Sequence, residues 1–124
     1  MTPDATDPPV IGACLQVRDL PAHRAWLFDR DRDLELQDFF LPEVLRTDAW
    51  RDVAAEARRL LDGFGGRLGI HGPFIGLPLV NPDPDLRALV QARFLTALDV
   101  CAALGADLMV IHSPFTTWDA HNLG

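Results

Sequence analysis

Lysine is missing from this chain. All eleven fixed positive charges are arginines, set against 15 aspartates and three glutamates, for a net charge of −7. The missing lysine carries no chemistry of its own, but the acidic balance does. Tracking a phosphate backbone takes clustered positive charge, and no basic stripe occurs in the 124 residues, so a nucleic-acid partner is not expected on charge grounds. Nor is there an apolar run near the ~20 residues a bilayer crossing needs, and no membrane partner is expected. Residues 1–10 hold three prolines and two aspartates but no basic or long apolar block. Neither a signal nor a transit peptide is therefore expected, and the expected compartment is cytoplasmic. Cysteine is scarce too. Cys14 and Cys101 both lie within apolar runs and are expected as small core residues rather than as a disulfide or metal pair.

What is present is a regular alternation. Hydrophobic residues make up 48%, enough for one compact domain with its own core. Val10 to Val17 (VIGACLQV) reads as a first strand, and Pro21 to Phe28 as a short helix with proline at an early position. Asp29 to Asp33 reads as a solvated turn. Leu34 to Phe40 (LELQDFF) follows as a second strand, closed by Pro42. A clearer helix has Thr47 or Asp48 as N-cap. It carries Trp50, Val53, Ala54, Ala57, Leu60 and Leu61 at three- and four-residue spacing and stops at Gly63.

Arg67 to Ile70 is a short buried third strand, and an ordered, proline-rich loop runs from Gly72 to Asp83. The longest helix is capped by Asp83 or Asp85 and ended by Gly105. Its predicted apolar face is Leu86, Leu89, Val90, Phe94, Ala97, Leu98, Cys101 and Leu104. Asp107 opens a fourth strand. Residues 1–9 are expected as a disordered leader and residues 10–124 as the domain.

Two of these strands end alike. Leu68-Gly-Ile70 leads into His71-Gly-Pro-Phe74, and Leu108-Met-Val-Ile111 leads into His112-Ser-Pro-Phe115. A strand–helix–strand crossover makes its two strands parallel, so both histidines emerge at the same edge of one sheet. Two imidazoles presented side by side there are a start for a metal site or an acid/base site. Each could equally cap its own strand through backbone hydrogen bonds.

The order βαβαβαβ with near-continuous apolar strands predicts an α/β protein with a parallel sheet. Two architectures fit: half of a closed (βα)8 barrel, or an open doubly wound parallel sheet. Four strands do not close a barrel, which typically takes ~250 residues.

LELQDFF, LGIHGPF, the helix ending in ALGAD, and LMVIHSPF together resemble the amino-terminal half of the xylose-isomerase-like TIM barrels, over roughly Val10 to Phe115. That superfamily includes sugar isomerases, sugar-phosphate isomerases and epimerases, and the endonuclease IV DNA-repair enzymes. The resemblance implies an active site at the carboxyl ends of the strands holding one or more divalent metals, zinc, manganese or magnesium. On the endonuclease IV branch it makes His71 and His112 zinc ligands. On the sugar-isomerase branches the ligands come mainly from later strands, and the earlier strand ends line the substrate pocket. Those later strands are absent from the sequence, so the resemblance implies an incomplete metal site and a fragment inactive alone.

The expected catalytic residues are Glu35, His71 and His112, with His71 and His112 also the expected metal ligands. Glu35 and Gln37 share one face of the second strand by alternation. A carboxylate facing a barrel interior would need a partner there, and a solvated edge position is the competing reading. Gln16, Gln37, Phe74, Phe115 and Trp118 are the expected substrate-binding residues: amides for sugar hydroxyls, phenyl rings for a pocket wall, and an indole to stack on a sugar face. Phe74 and Phe115 could instead simply pack their loops. Asp119 and His121 have a metal-ligand spacing that is common by chance, and His23 reads as plain surface.

The leading function is a metal-dependent sugar or sugar-phosphate isomerase or epimerase. The alternatives are a zinc-dependent abasic-site endonuclease, or a non-catalytic remnant that associates, two copies completing eight strands as a homo-oligomer.

Overall fold

The computed structural model describes residues 7–114. Its four strands are β1 (Ala13–Leu15), β2 (Leu34–Leu36), β3 (Leu68–His71) and β4 (Leu108–Val110). They form one sheet in the order β1-β2-β3-β4, parallel at every step. The connections hold α1 (Leu20–Phe28, preceded by a 3-10 turn at Val17–Asp19), α2 (Pro42–Leu45), α3 (Ala49–Leu60) and α4 (Pro84–Leu104). No helix among the described residues is long and apolar enough to cross a membrane.

Strand order separates the two expected architectures. A doubly wound sheet reverses its order and carries helices on both faces. Here every crossover steps to the next strand in the same direction, and right-handed connections that never reverse lay all their helices on one face. The fold is the singly wound, barrel-type α/β arrangement. Leu34, Leu36 and Ile70 point into the helix layer and are almost fully buried there, against Leu27, Ala57, Ala97 and Val100. Each large side chain buried in this way contributes about 1.5–3 kcal/mol.

The helices form for local reasons visible in the chain. In α3, Trp50, Ala54 and Ala57 recur on one buried face, while Glu56 and Arg59 pair on the wet side at 2.7 Å. In α4, the Asp83 carboxylate accepts the Asp85 and Leu86 N–H groups at 2.8 and 3.4 Å, Pro84 occupies the first turn, and Gly105 at φ 66° ends the helix.

Four expectations are corrected. The first two strands span three residues each rather than eight and seven, and Val10 and Ile11 are exposed beside the first. Pro42 opens α2 instead of merely closing a strand. Leu86, Leu89 and Leu98 are exposed, although the apolar period puts them on the buried face of α4. At 21 residues that helix is about 31 Å long, whereas a strand of three or four residues covers roughly 10–14 Å. The first turns of α4 therefore overshoot the sheet, and Leu98 sits about 100° round from the buried Ala97. Finally, Cys101 is in the core but Cys14 is exposed. Ala13 and Leu15 face the helices, so alternation sends Cys14 to the opposite face.

Candidate functional site

Alternation organises that opposite face into rows. Cys14, Glu35, Gly69 and Leu108 are register partners across all four strands. One layer toward the carboxyl ends come Gln16, Gln37, His71 and Val110, because Leu15 pairs with Leu36, Leu36 with Ile70, and His71 with Val110. His112 stands two residues beyond Val110 on the same side.

Gly72 brings the two histidines together. Its N–H donates to the Val110 carbonyl at 2.8 Å, extending the β3–β4 pairing past the last strand residue. A Cβ there would lie 3.0 Å from the Met109 side chain and 3.2 Å from the Val110 oxygen, so any larger residue would push these neighbours apart by a few tenths of an ångström. Pro73 is fully buried behind it. His71 is half-buried, and its Nδ1–H donates to the Gly72 carbonyl at 2.7 Å, which leaves the Nε2 lone pair free to accept. The exposed His112 brings its own Nε2 to 3.2 Å from that atom and donates to it.

Two nitrogens this close can be reached by one cation at the usual ~2.0–2.1 Å. The backbone hydrogen bond on the far nitrogen of His71 is the kind of partner that orients metal-binding imidazoles. The residues present thus fit a metal as two nitrogen ligands. Among the described residues no group of three or more His, Cys, Asp or Glu side chains converges anywhere.

Phenyl rings collar the pair. Phe74 stacks on the His112 ring at 4.2 Å with 21° between planes and lies 4.7 Å from the His71 ring. Phe40 meets His71 edge-on at 5.6 Å and Phe74 at 5.1 Å. The sequence reading missed Phe40. The signal lay in the Phe39-Phe40 doublet, since Phe39 is fully buried and its neighbour turns toward the site.

The other expected residues divide. Gln16 and Gln37 share a row with His71. Glu35 lies one layer below; its Oε1 accepts the Gln37 amide at a long 3.5 Å, and it is the cross-strand register partner of Cys14. Partial desolvation of the otherwise exposed sulfur first, and the neighbouring Glu35 carboxylate after it, push the Cys14 thiol above its ordinary pKa. A concavity of about 480 Å³ opens from that layer toward the amino ends, between Gly12, Glu35, Arg67 and Leu108, and neither imidazole lines it. His23 is plain surface. Phe115, Trp118, Asp119 and His121 lie outside the described residues.

Parallel strands wound in sequence, helices on one face, and imidazoles at the carboxyl ends define a barrel-type α/β protein. The family model described as xylose isomerase-like TIM barrel matches residues 32–122, and the chain belongs to that family. Neither a curated protein nor a solved structure gives a significant match.

Proposed function

We propose that this domain serves a metal-dependent sugar or sugar-phosphate isomerase or epimerase, with His71 and His112 as ligands to one divalent cation. The observation that carries the reading is the convergence of the two Nε2 atoms to 3.2 Å at the carboxyl edge of the sheet. Imidazole nitrogens favour zinc, whereas magnesium and manganese are better served by carboxylates and water. When bound, such a cation polarises the substrate oxygens and eases proton or hydride transfer between adjacent carbons. The chain's own groups bind and orient: Gln16 and Gln37 offer amide donors and acceptors to sugar hydroxyls, Glu35 supports Gln37 from below, and Phe40 and Phe74 keep water from one side of the imidazoles. With two nitrogen ligands among the described residues, the 124-residue chain alone is expected to bind metal without turning substrate over.

Calorimetric titration with Zn²⁺, Mn²⁺ and Mg²⁺ tests this reading. Zinc binding is expected in the wild type, weakened by about 100-fold or more in His71→Ala or His112→Ala. Equal zinc affinity in all three proteins would end the assignment.

The same pair of histidines also favours a second reading, zinc-dependent cleavage at abasic sites in DNA. The net charge of −7 weighs against it. Filter binding that shows no affinity for an abasic duplex at low salt would remove it.

A further inference from the structure

The two imidazoles are held in different ways. His71 is half-buried, and the hydrogen bond from Nδ1 to the Gly72 carbonyl sets its ring rotation. His112 is exposed, and among the described residues its ring meets two groups, Nε2 of His71 and the face of Phe74. The first contact is a hydrogen bond along the same Nε2 lone pair a cation would use, so it is lost when metal enters. The second does not compete with metal, because stacking engages the ring face and leaves the in-plane lone pairs clear. Phe74 is well placed for this. It follows the buried Pro73, whose ring fixes φ, and it leans on Phe40 at 5.1 Å.

We propose that Phe74 is a positioning residue for the paired imidazoles: its ring face holds His112 in the one side-chain conformation that aims both Nε2 atoms at a single cation. This rests on the metal-site reading above. An exposed histidine otherwise samples three χ1 wells and a broad range of ring orientations. Apparent affinity falls in proportion to the fraction of chains already in the competent conformation. Losing the stacked face is therefore expected to weaken zinc binding about 10-fold, the lower end of what removing an outer-shell partner costs.

Two variants of the 124-residue chain separate ring stacking from mere bulk. Phe74→Leu keeps an apolar side chain without a flat face, and Phe74→Tyr keeps the face. Zn²⁺ affinity is read by competition with a chromophoric chelator. In metal-free protein, the χ1 distribution of His112 is read from its Hα–Hβ couplings. The expected result is a single His112 rotamer in the wild type and Phe74→Tyr, an averaged one in Phe74→Leu, and zinc binding weakened about 10-fold in Phe74→Leu alone. A His112 that keeps one rotamer in Phe74→Leu, or one that is averaged already in the wild type, overturns the positioning role. An averaged rotamer in Phe74→Leu with unchanged zinc affinity overturns its link to the metal. If the wild type takes up no zinc but Phe74→Leu still frees His112, the metal-site reading fails while the positioning by Phe74 stands.

Discussion

At each end of the sheet one aspartate ties two neighbouring strands together, and the two are held in opposite ways. Asp38, just past β2 at the carboxyl end, accepts the Val17 N–H at 2.8 Å and so joins the ends of β1 and β2. It is half-buried, and burial pushes its carboxyl above the ordinary range; the Asp19 charge adds to this, while the Val17 N–H and Arg18 oppose it. Asp33, just before β2 at the amino end, pairs with the exposed Arg67 ahead of β3, Nε lying 3.0 Å from Oδ1. The guanidinium holds that carboxyl below its usual value. One residue type thus does one structural task, dry at one end and wet at the other. The dry end is also where the imidazoles and phenyl rings gather, in keeping with barrels that place chemistry at the carboxyl edge and stability at the amino edge.

Mutations at the two ends should therefore separate binding from folding. The largest effect on binding belongs to the carboxyl end. Replacing His71 or His112 by alanine removes one of the two proposed ligands, so zinc affinity should fall by about 100-fold or more, beyond the cost of losing an outer partner. The melting temperature should hardly change, and a large drop in it would blur the division between the ends. The largest effect on folding belongs to the amino end. At Gly66 a Cβ would run into the Arg32 carbonyl oxygen and press on the Phe64 ring. Gly66→Ala should cost about 3 kcal/mol, read from the urea midpoint, and a midpoint matching the wild type would show that the loop yields instead.

The aspartates sharpen the comparison through pH. A lowered pKa such as that of Asp33 gives stability that is present above the ordinary carboxylate range and lost as pH falls through the folded value. A raised one such as that of Asp38 gives stability that is present in acid and lost as pH rises through its folded value. In Asp38→Asn an oxygen still accepts the Val17 N–H but no charge is buried. Unfolding measured from about pH 3 to about pH 6 should show stability shifting in favour of this variant as pH rises. A constant difference across that range would refute the buried charge. The smallest effect is expected of Arg67→Ala. It should lower stability at neutral pH, less so at high salt and not at all once Asp33 is protonated, with zinc affinity unchanged.

Much of this was legible in the chain because it rests on local chemistry. Asp83 and Gly105 bracket the long helix as their side chain and backbone freedom dictate, and the repeated histidine tips sit at adjacent strand ends because a crossover makes its strands parallel. What stayed hidden depended on which layer lies over which residue. Leu86 and Leu89 continue the apolar period of α4, yet the short strands leave nothing beneath them. Cys14 sits in an apolar run but on the face the helices do not cover. Phe40 looked like one more strand residue, because nothing in LELQDFF marks where pairing stops and the chain turns toward the imidazoles.

The pairing of β3 with β4 makes the two histidines a gauge of alignment. His71 sits opposite Val110, and His112 projects on the same side two residues further along. Sliding one strand by a single residue would turn one imidazole toward the helices and leave the other without its mate. A chain that folded one step out of alignment would keep its helix content and much of its compactness, yet offer zinc a single nitrogen in place of the proposed pair. Zinc uptake would then count correctly assembled molecules, and could be used to sort them during refolding.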